Sequence, residues 1–154
     1  MKLDNSKLPH YLVLNKSDLL FEMVFKHQFQ YMAILSPEGR VLEVNDFFLK
    51  FQGFPKVDYI GELFWKSAIW CDFPEWENVW KKRLIEASSQ QEPVITEDIF
   101  QLEDGSIHYA DVSTTAIHTP NNGEISSYII QITDTTKRHL IEEQIQQNET
   151  RLEF

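Results

Sequence analysis

Cysteine occurs once in this chain of 154 residues, at Cys71. No intrachain disulfide can form and no CxxC pair exists, which points to a reducing, cytoplasmic compartment. Positive charge is scarce as well. Fourteen Lys and Arg face 24 Asp and Glu, a net charge of −10. Such a chain repels phosphates instead of releasing their counterions, so nucleic acid is excluded as a partner. It also lacks the basic cluster that binds anionic lipid. No uncharged apolar run reaches the roughly 18 residues of a membrane span, and MKLDNSKLPHYLVLNKSD has no apolar core of signal-peptide type. There is no internal repeat and no low-complexity stretch.

What is present is a core-forming composition: 42% apolar and 13% aromatic residues, enough for one domain of this length. Ser17-Asp18 caps an expected helix over about 18–29, with Leu19, Met23 and Phe25 to Phe29 available for burial. YMAIL (31–35) and Arg40 to Val44 flank Ser36-Pro37-Glu38-Gly39 and read as a β-hairpin. Asn45 is a good N-cap for a helix carrying Phe47, Phe48 and Phe51, which Gly53 ends. Residues 55–61 suggest one more short turn of helix. Asp72-Phe73-Pro74-Glu75 resembles a capping box for an amphipathic helix in which Trp76, Trp80, Leu84 and Ala87 recur every three or four residues. The last third changes period. Segments 93–102, 107–118 and 125–133 are rich in β-branched residues and separated by Asp104-Gly105 and Asn122-Gly123 turns, so they predict a three-stranded antiparallel meander. The order helix, β, β, helices, β, β, β, helix predicts an α+β fold with one antiparallel sheet.

Three stretches in this order and at these distances resemble a PAS domain: GRVLEVNDFFLKFQGFPKVDYIGELFW, EDGSIHYADVS and YIIQITDTTKR. The last is similar to the Asp-x-Thr ending that closes many PAS domains before a signalling helix. The resemblance covers residues 18–136, leaving 1–17 as an N-terminal extension and 137–154 as the start of a coiled-coil linker. It implies a five-stranded antiparallel sheet with helices on one face. It implies a sensory module and not an enzyme. Such a module binds a small ligand in a largely apolar pocket and relays the signal through its C-terminal helix. The output is a histidine kinase or diguanylate cyclase type in a two-component or similar pathway. A ligand-free PAS domain that serves as a dimerisation scaffold is the alternative.

The pleat selects pocket-facing residues. Tyr128, Ile130 and Ile132 share the more apolar face of the last strand. Ala110, Val112 and Thr114 face inward before it, and Phe100 and Leu102 before that. Phe48, Phe51, Trp65, Trp70 and Trp80 supply helical walls. The bland reading of each is core packing. Tyr128, Thr114 and Cys71 are the polar anchors on offer. Cys71 lies in IWCDFP, without the Asn-Cys-Arg-Phe type flanks of a photoactive flavin site, and its context does not match a thioester-linked chromophore. Residues 75–90 contain no His, which argues against the haem arrangement of oxygen-sensing PAS domains. The cofactor therefore stays open. His108 and His118 flank a strand and read as surface residues. No His, Cys or carboxylate cluster has metal-ligand spacing. No nucleophile elbow, P-loop or zincin motif occurs, and Glu97-Asp98 reads as a solvated residue beside a half-buried one.

From Thr136 the pattern is helical, and Thr135 or Thr136 can cap it. Ile141, Ile145, Asn148 and Leu152 are spaced 4, 3 and 4, a heptad seam for a homodimer in which Asn148 fixes register. Two heptads are too short to hold a dimer alone. The seam stops in mid-pattern at Phe154, as expected of a module cut from a longer protein. The resemblance implies a relay through Asp134, Thr136 and Arg138, in which Asp134 pairs with a local cation, Lys137 or Arg138. This chain reads Asp-Thr-Thr where the family usually has Asp-Ile-Thr or Asp-Val-Thr.

Overall fold

A computed structural model describes residues 19–21, 30–52, 54–101 and 105–152, with side chains of 50–52 excepted. Five antiparallel strands form one sheet: β1 (Tyr31–Leu35), β2 (Val41–Val44), β3 (Val94–Gln101), β4 (Ile107–His118) and β5 (Ile125–Asp134), in the order β2-β1-β5-β4-β3. Among the described residues, helices α1 (Asp46–Gln52), α2 (Trp76–Ser88) and α3 (Thr136–Leu152) accompany it. Between α1 and α2 lie two 3-10 turns, Lys56–Asp58 and Phe64–Lys66. Of the helix expected over 18–29, residues 19–21 are helical and Leu19 is exposed; Met23 and Phe25 to Phe29 lie outside the described residues.

Strand periodicity decides which face is covered. Ala33 and Leu35 of β1, Ala110, Val112, Thr114 and Ala116 of β4, and Tyr128, Ile130 and Ile132 of β5 are all buried. The register places Thr114 beside Ile130 and Val112 beside Ile132, so the inward set runs as continuous rows across the sheet. α1, α2 and the 64–75 segment cover that face, whereas the first turn of α3 meets Tyr109 and Asp111 on the other side of the sheet. Phe64 meets Trp80 edge-on at 4.8 Å and Phe48 meets Tyr59 at 5.3 Å, the ring geometry that aromatic quadrupoles favour.

Asn45 does more than cap α1. Its Oδ1 accepts from the Phe48 and Met32 amides, and its Nδ2 donates to the Gln30 carbonyl. One buried side chain thus ties the helix start to β1. The edge strand β2 is not left open. Val41 N–H donates to the Glu62 carbonyl, Gly61 N–H donates to the Val41 carbonyl, and Phe64 N–H donates to the Gly39 carbonyl, which blunts the edge. Gly39 sits at φ +91°, and a Cβ there would lie 2.5 Å from the Trp65 ring.

The capping box expected at Asp72 does not form. Glu75 is the N-cap residue of α2 and makes no side-chain cap bond. Trp76 and Glu77 N–H groups instead donate to the Phe73 and Pro74 carbonyls. The tight turns run straight into the helix and satisfy its first donors, so no side-chain acceptor is needed. Arg83 faces the core with Trp80, Leu84 and Ala87. It makes a two-pronged ion pair with Asp98 of β3, at 2.9 and 2.5 Å. Asp98 is buried, where the sequence suggested half-burial.

Candidate functional site

Between the sheet and the helical layer lies a cavity of about 480 Å³, within the usual range for small-molecule sites. The strands contribute Tyr31, Phe100, Ala110 and Ile132. The opposite wall is Phe48, Ile69, Trp70 and Trp76, and Phe73 and Glu75 stand at the exposed rim. Trp70, Trp76 and Phe100 form a continuous aromatic surface: ring centroids lie 5.1 Å apart for Trp70 and Trp76 and 5.7 Å for Trp76 and Phe100. The Trp70 indole nitrogen is buried with no acceptor in the described structure.

The far end of the cavity is the junction of β5 and α3, where His108, Tyr109 and Asp134 line it. The same three residues anchor α3. Asp134 Oδ1 accepts the Thr136 amide at 2.9 Å. Thr135 N–H donates to the Tyr109 carbonyl, and Tyr109 N–H donates to Thr136 Oγ1. The His139 ring stacks on Tyr109 at 4.2 Å. His139 Nε2 also lies 3.2 Å from Glu97 Oε1, a charge contact without hydrogen-bond alignment. His108 Nδ1 stands 3.7 Å from Asp134 Oδ2, and its Nε2 meets Ser106 Oγ at 3.1 Å. Burial pushes the Asp134 carboxyl up, but the Thr136 hydrogen bonds and His108 outweigh it and hold the group below the usual carboxylate range. Burial, with Asp134 nearby, pushes the Tyr31 hydroxyl up to about 12, so Tyr31 is a neutral donor at neutral pH.

Among the residues expected at a pocket, Phe48, Trp70, Phe100, Ala110 and Ile132 line this cavity. Trp65, Trp80, Val112, Thr114, Tyr128 and Ile130 are buried core residues away from it. The Phe51 side chain and Leu102 lie outside the described residues. Cys71 is exposed and does not line the cavity. The expected pairing of Asp134 with Lys137 or Arg138 is replaced by the Thr136 amide and His108. Arg138 reaches across to Asp111 of β4 at 3.3 Å and along α3 to Glu142. Neither threonine caps α3 through its hydroxyl. Thr135 is buried with its Oγ1 unpartnered among the described residues, and Thr136 Oγ1 faces Tyr109. Asp134 takes the role because its carboxylate closes a two-residue loop onto the first helical amide. His108 and Trp76 were not singled out for the cavity. The signal available was His108 on the inward face of β4, in step with Ala110 and Val112.

Beyond its first turn α3 leaves the domain. Ile141, Ile145 and Leu152 are exposed, and none of its described residues is buried. Asn148 is exposed in the same helix. No described helix is long and apolar enough to cross a membrane, and no group of three metal-ligating side chains occurs among the described residues.

Comparison with known proteins agrees with this architecture. The PAS domain family profile matches residues 30–137, and the chain belongs to the PAS domain family, whose members are typically sensory, non-catalytic modules. No curated protein matches it. The PAS domain of Bordetella pertussis BvgS is similar in structure, with a TM-score of 0.66 at 17% identity, covering 89% of this chain and 99% of that one. A PAS domain from Colwellia psychrerythraea has a TM-score of 0.63 at 17% identity, covering 79% and 99%. Vibrio cholerae VqmA, described as a dimer and LuxR-type receptor, has a TM-score of 0.63 at 17% identity, covering 78% and 52%.

Proposed function

We propose that this PAS domain is a sensor that takes a small ligand into the cavity and relays occupancy through α3 to an output domain. One observation carries the reading: His108, Tyr109 and Asp134 line the cavity and also hold the first turn of α3. A ligand that displaces any of them shifts the helix base directly. Strand β5 enters α3 with only Thr135 between, so little slack absorbs the shift. The output domain is of histidine kinase or diguanylate cyclase type in a larger protein. The assembly is a homodimer joined through the PAS core and the seam of Ile141, Ile145, Asn148 and Leu152. VqmA, similar in fold, has been described in a complex with ligand and DNA; the net charge of −10 here argues for a ligand and against DNA at this domain. A lone, exposed Cys71 fits a cytoplasmic setting.

The exposed apolar stripe on α3 favours a second reading, a ligand-free dimerisation scaffold. Native mass spectrometry of the protein purified from cells separates the two. The sensor reading expects a small molecule retained by the folded protein. A homodimer with no adduct, whose α3 is unaffected by any added small molecule, would leave only the scaffold. In the protein carrying its output domain, Asp134→Ala should leave the fold intact and disconnect output from ligand; unchanged signalling would refute the relay.

A further inference from the structure

The charge and ring chemistry of the cavity wall select among ligand classes, an inference that rests on the sensor reading above. Among the described residues no Lys or Arg lines the cavity; the ionisable groups that do are Glu75, His108, Asp134 and two tyrosines. Glu75 is the N-cap residue of α2, yet its carboxylate makes no capping bond and has no hydrogen-bond or ion-pair partner among the described residues. Both carboxylate residues line the same cavity as an aromatic surface formed by Trp70, Trp76 and Phe100. Arg83, which is not among the lining residues, lies over the Trp76 ring at 5.7 Å, and Asp98 neutralises it by a two-pronged pair. A bound anion would meet two carboxylates and no Lys or Arg among the described lining residues, and desolvating it unpaired is costly. A cation gains from the same groups and from the ring faces.

We propose that the cavity selects organic cations: a protonated or quaternary amine carried on an aromatic or aliphatic body, with the charge directed at Glu75 or Asp134 and the body against Trp70, Trp76 and Phe100. Carboxylates and phosphate esters are disfavoured.

Three probes of matched shape test this on the intact chain: benzyltrimethylammonium, its uncharged isostere neopentylbenzene, and phenylacetate. Binding is read by tryptophan fluorescence, since two of the four tryptophans line the cavity, and by calorimetry. The cation should bind at least tenfold more tightly than the isostere, with phenylacetate the weakest. Glu75→Gln, a change at an exposed position, should reduce the preference for the cation severalfold while leaving neopentylbenzene affinity and the melting temperature unchanged. Equal or tighter binding of the isostere, or tightest binding of phenylacetate, overturns cation selectivity and leaves the cavity a ligand site. Saturable binding of none of the three, with no molecule co-purifying, overturns the sensor reading and this inference with it.

Discussion

Around Trp80 the space between sheet and helices is filled, whereas around Trp76 it stays open. Trp80 is 1% exposed, meets Phe64 edge-on at 4.8 Å and faces strands whose inward residues include Val112, Thr114 and Ile130. Trp76, one helical turn earlier, is half-buried and leans on Trp70 and Phe100 at 45° and 33°. Among the β4 residues at the cavity wall is the small Ala110. Branched side chains interdigitate with rings and close the gap. Rings that lean on one another opposite an alanine leave volume over. The same residue class thus gives core at one end of α2 and cavity at the other.

The sharpest way to break this contrast is to truncate both tryptophans. Trp80→Ala should lower stability by about 3–5 kcal/mol, the range for deleting a buried ring from a packed site. Trp76→Ala should lower it by only about 1–2 kcal/mol, because its ring already borders open space. Chemical denaturation measures both, and equal losses would erase the distinction. Arg83→Met tests the joint behind the aromatic surface. It strands Asp98, whose side chain is 5% exposed, and should cost about 3 kcal/mol. Adding Asp98→Leu should restore most of that; a double mutant worse than the single would show that the pair is not a self-contained unit. Gly39→Ala should cost about 2 kcal/mol, from a left-handed φ and from a methyl driven into Trp65. Gly61→Ala, at φ +85° with nothing within 4 Å, should cost only about 1 kcal/mol in the same assay.

Most of the sheet was legible because strand alternation is local. Ala110, Val112 and Thr114, and Tyr128, Ile130 and Ile132, take the inward face that their period of two assigns. Asn45 announced α1 because a cap needs only its own side chain and the next turn. Long-range choices were not legible. Arg83 sits in a helical row with Lys81 and Lys82, and nothing local says that it turns inward to an aspartate fifteen residues on. Which aromatics wall the cavity depends on the 64–75 segment, whose successive turn bonds carry no period to read. At the β5–α3 junction the sequence offered Thr135 and Thr136 as caps and Asp134 as a partner for a nearby cation. Geometry chose Asp134 because Thr136 Oγ1 was already engaged with Tyr109.

That choice sets one of the smallest expected effects, at the β5–α3 junction. Asp134→Ala removes the acceptor for the first amide of α3 and should cost about 1 kcal/mol at neutral pH, typical for a lost cap. Its pH dependence identifies the cause. The Asp134 carboxyl is held below the usual range in the folded chain. Its contribution is therefore present above the unfolded carboxylate pKa of about 4 and is lost as pH falls through the lower folded value. Wild type and Asp134→Ala should differ at pH 7 and converge in acid. Amide exchange at Thr136 should quicken in the variant, while exchange in β4 near Val112, in the filled half, stays as it was. A stability gap that persists below the carboxylate range would mean that Asp134 acts by packing and not by its charge. A gap that closes, with exchange quickened at Thr136 alone, would place the weak point of the domain where the cavity meets the helix.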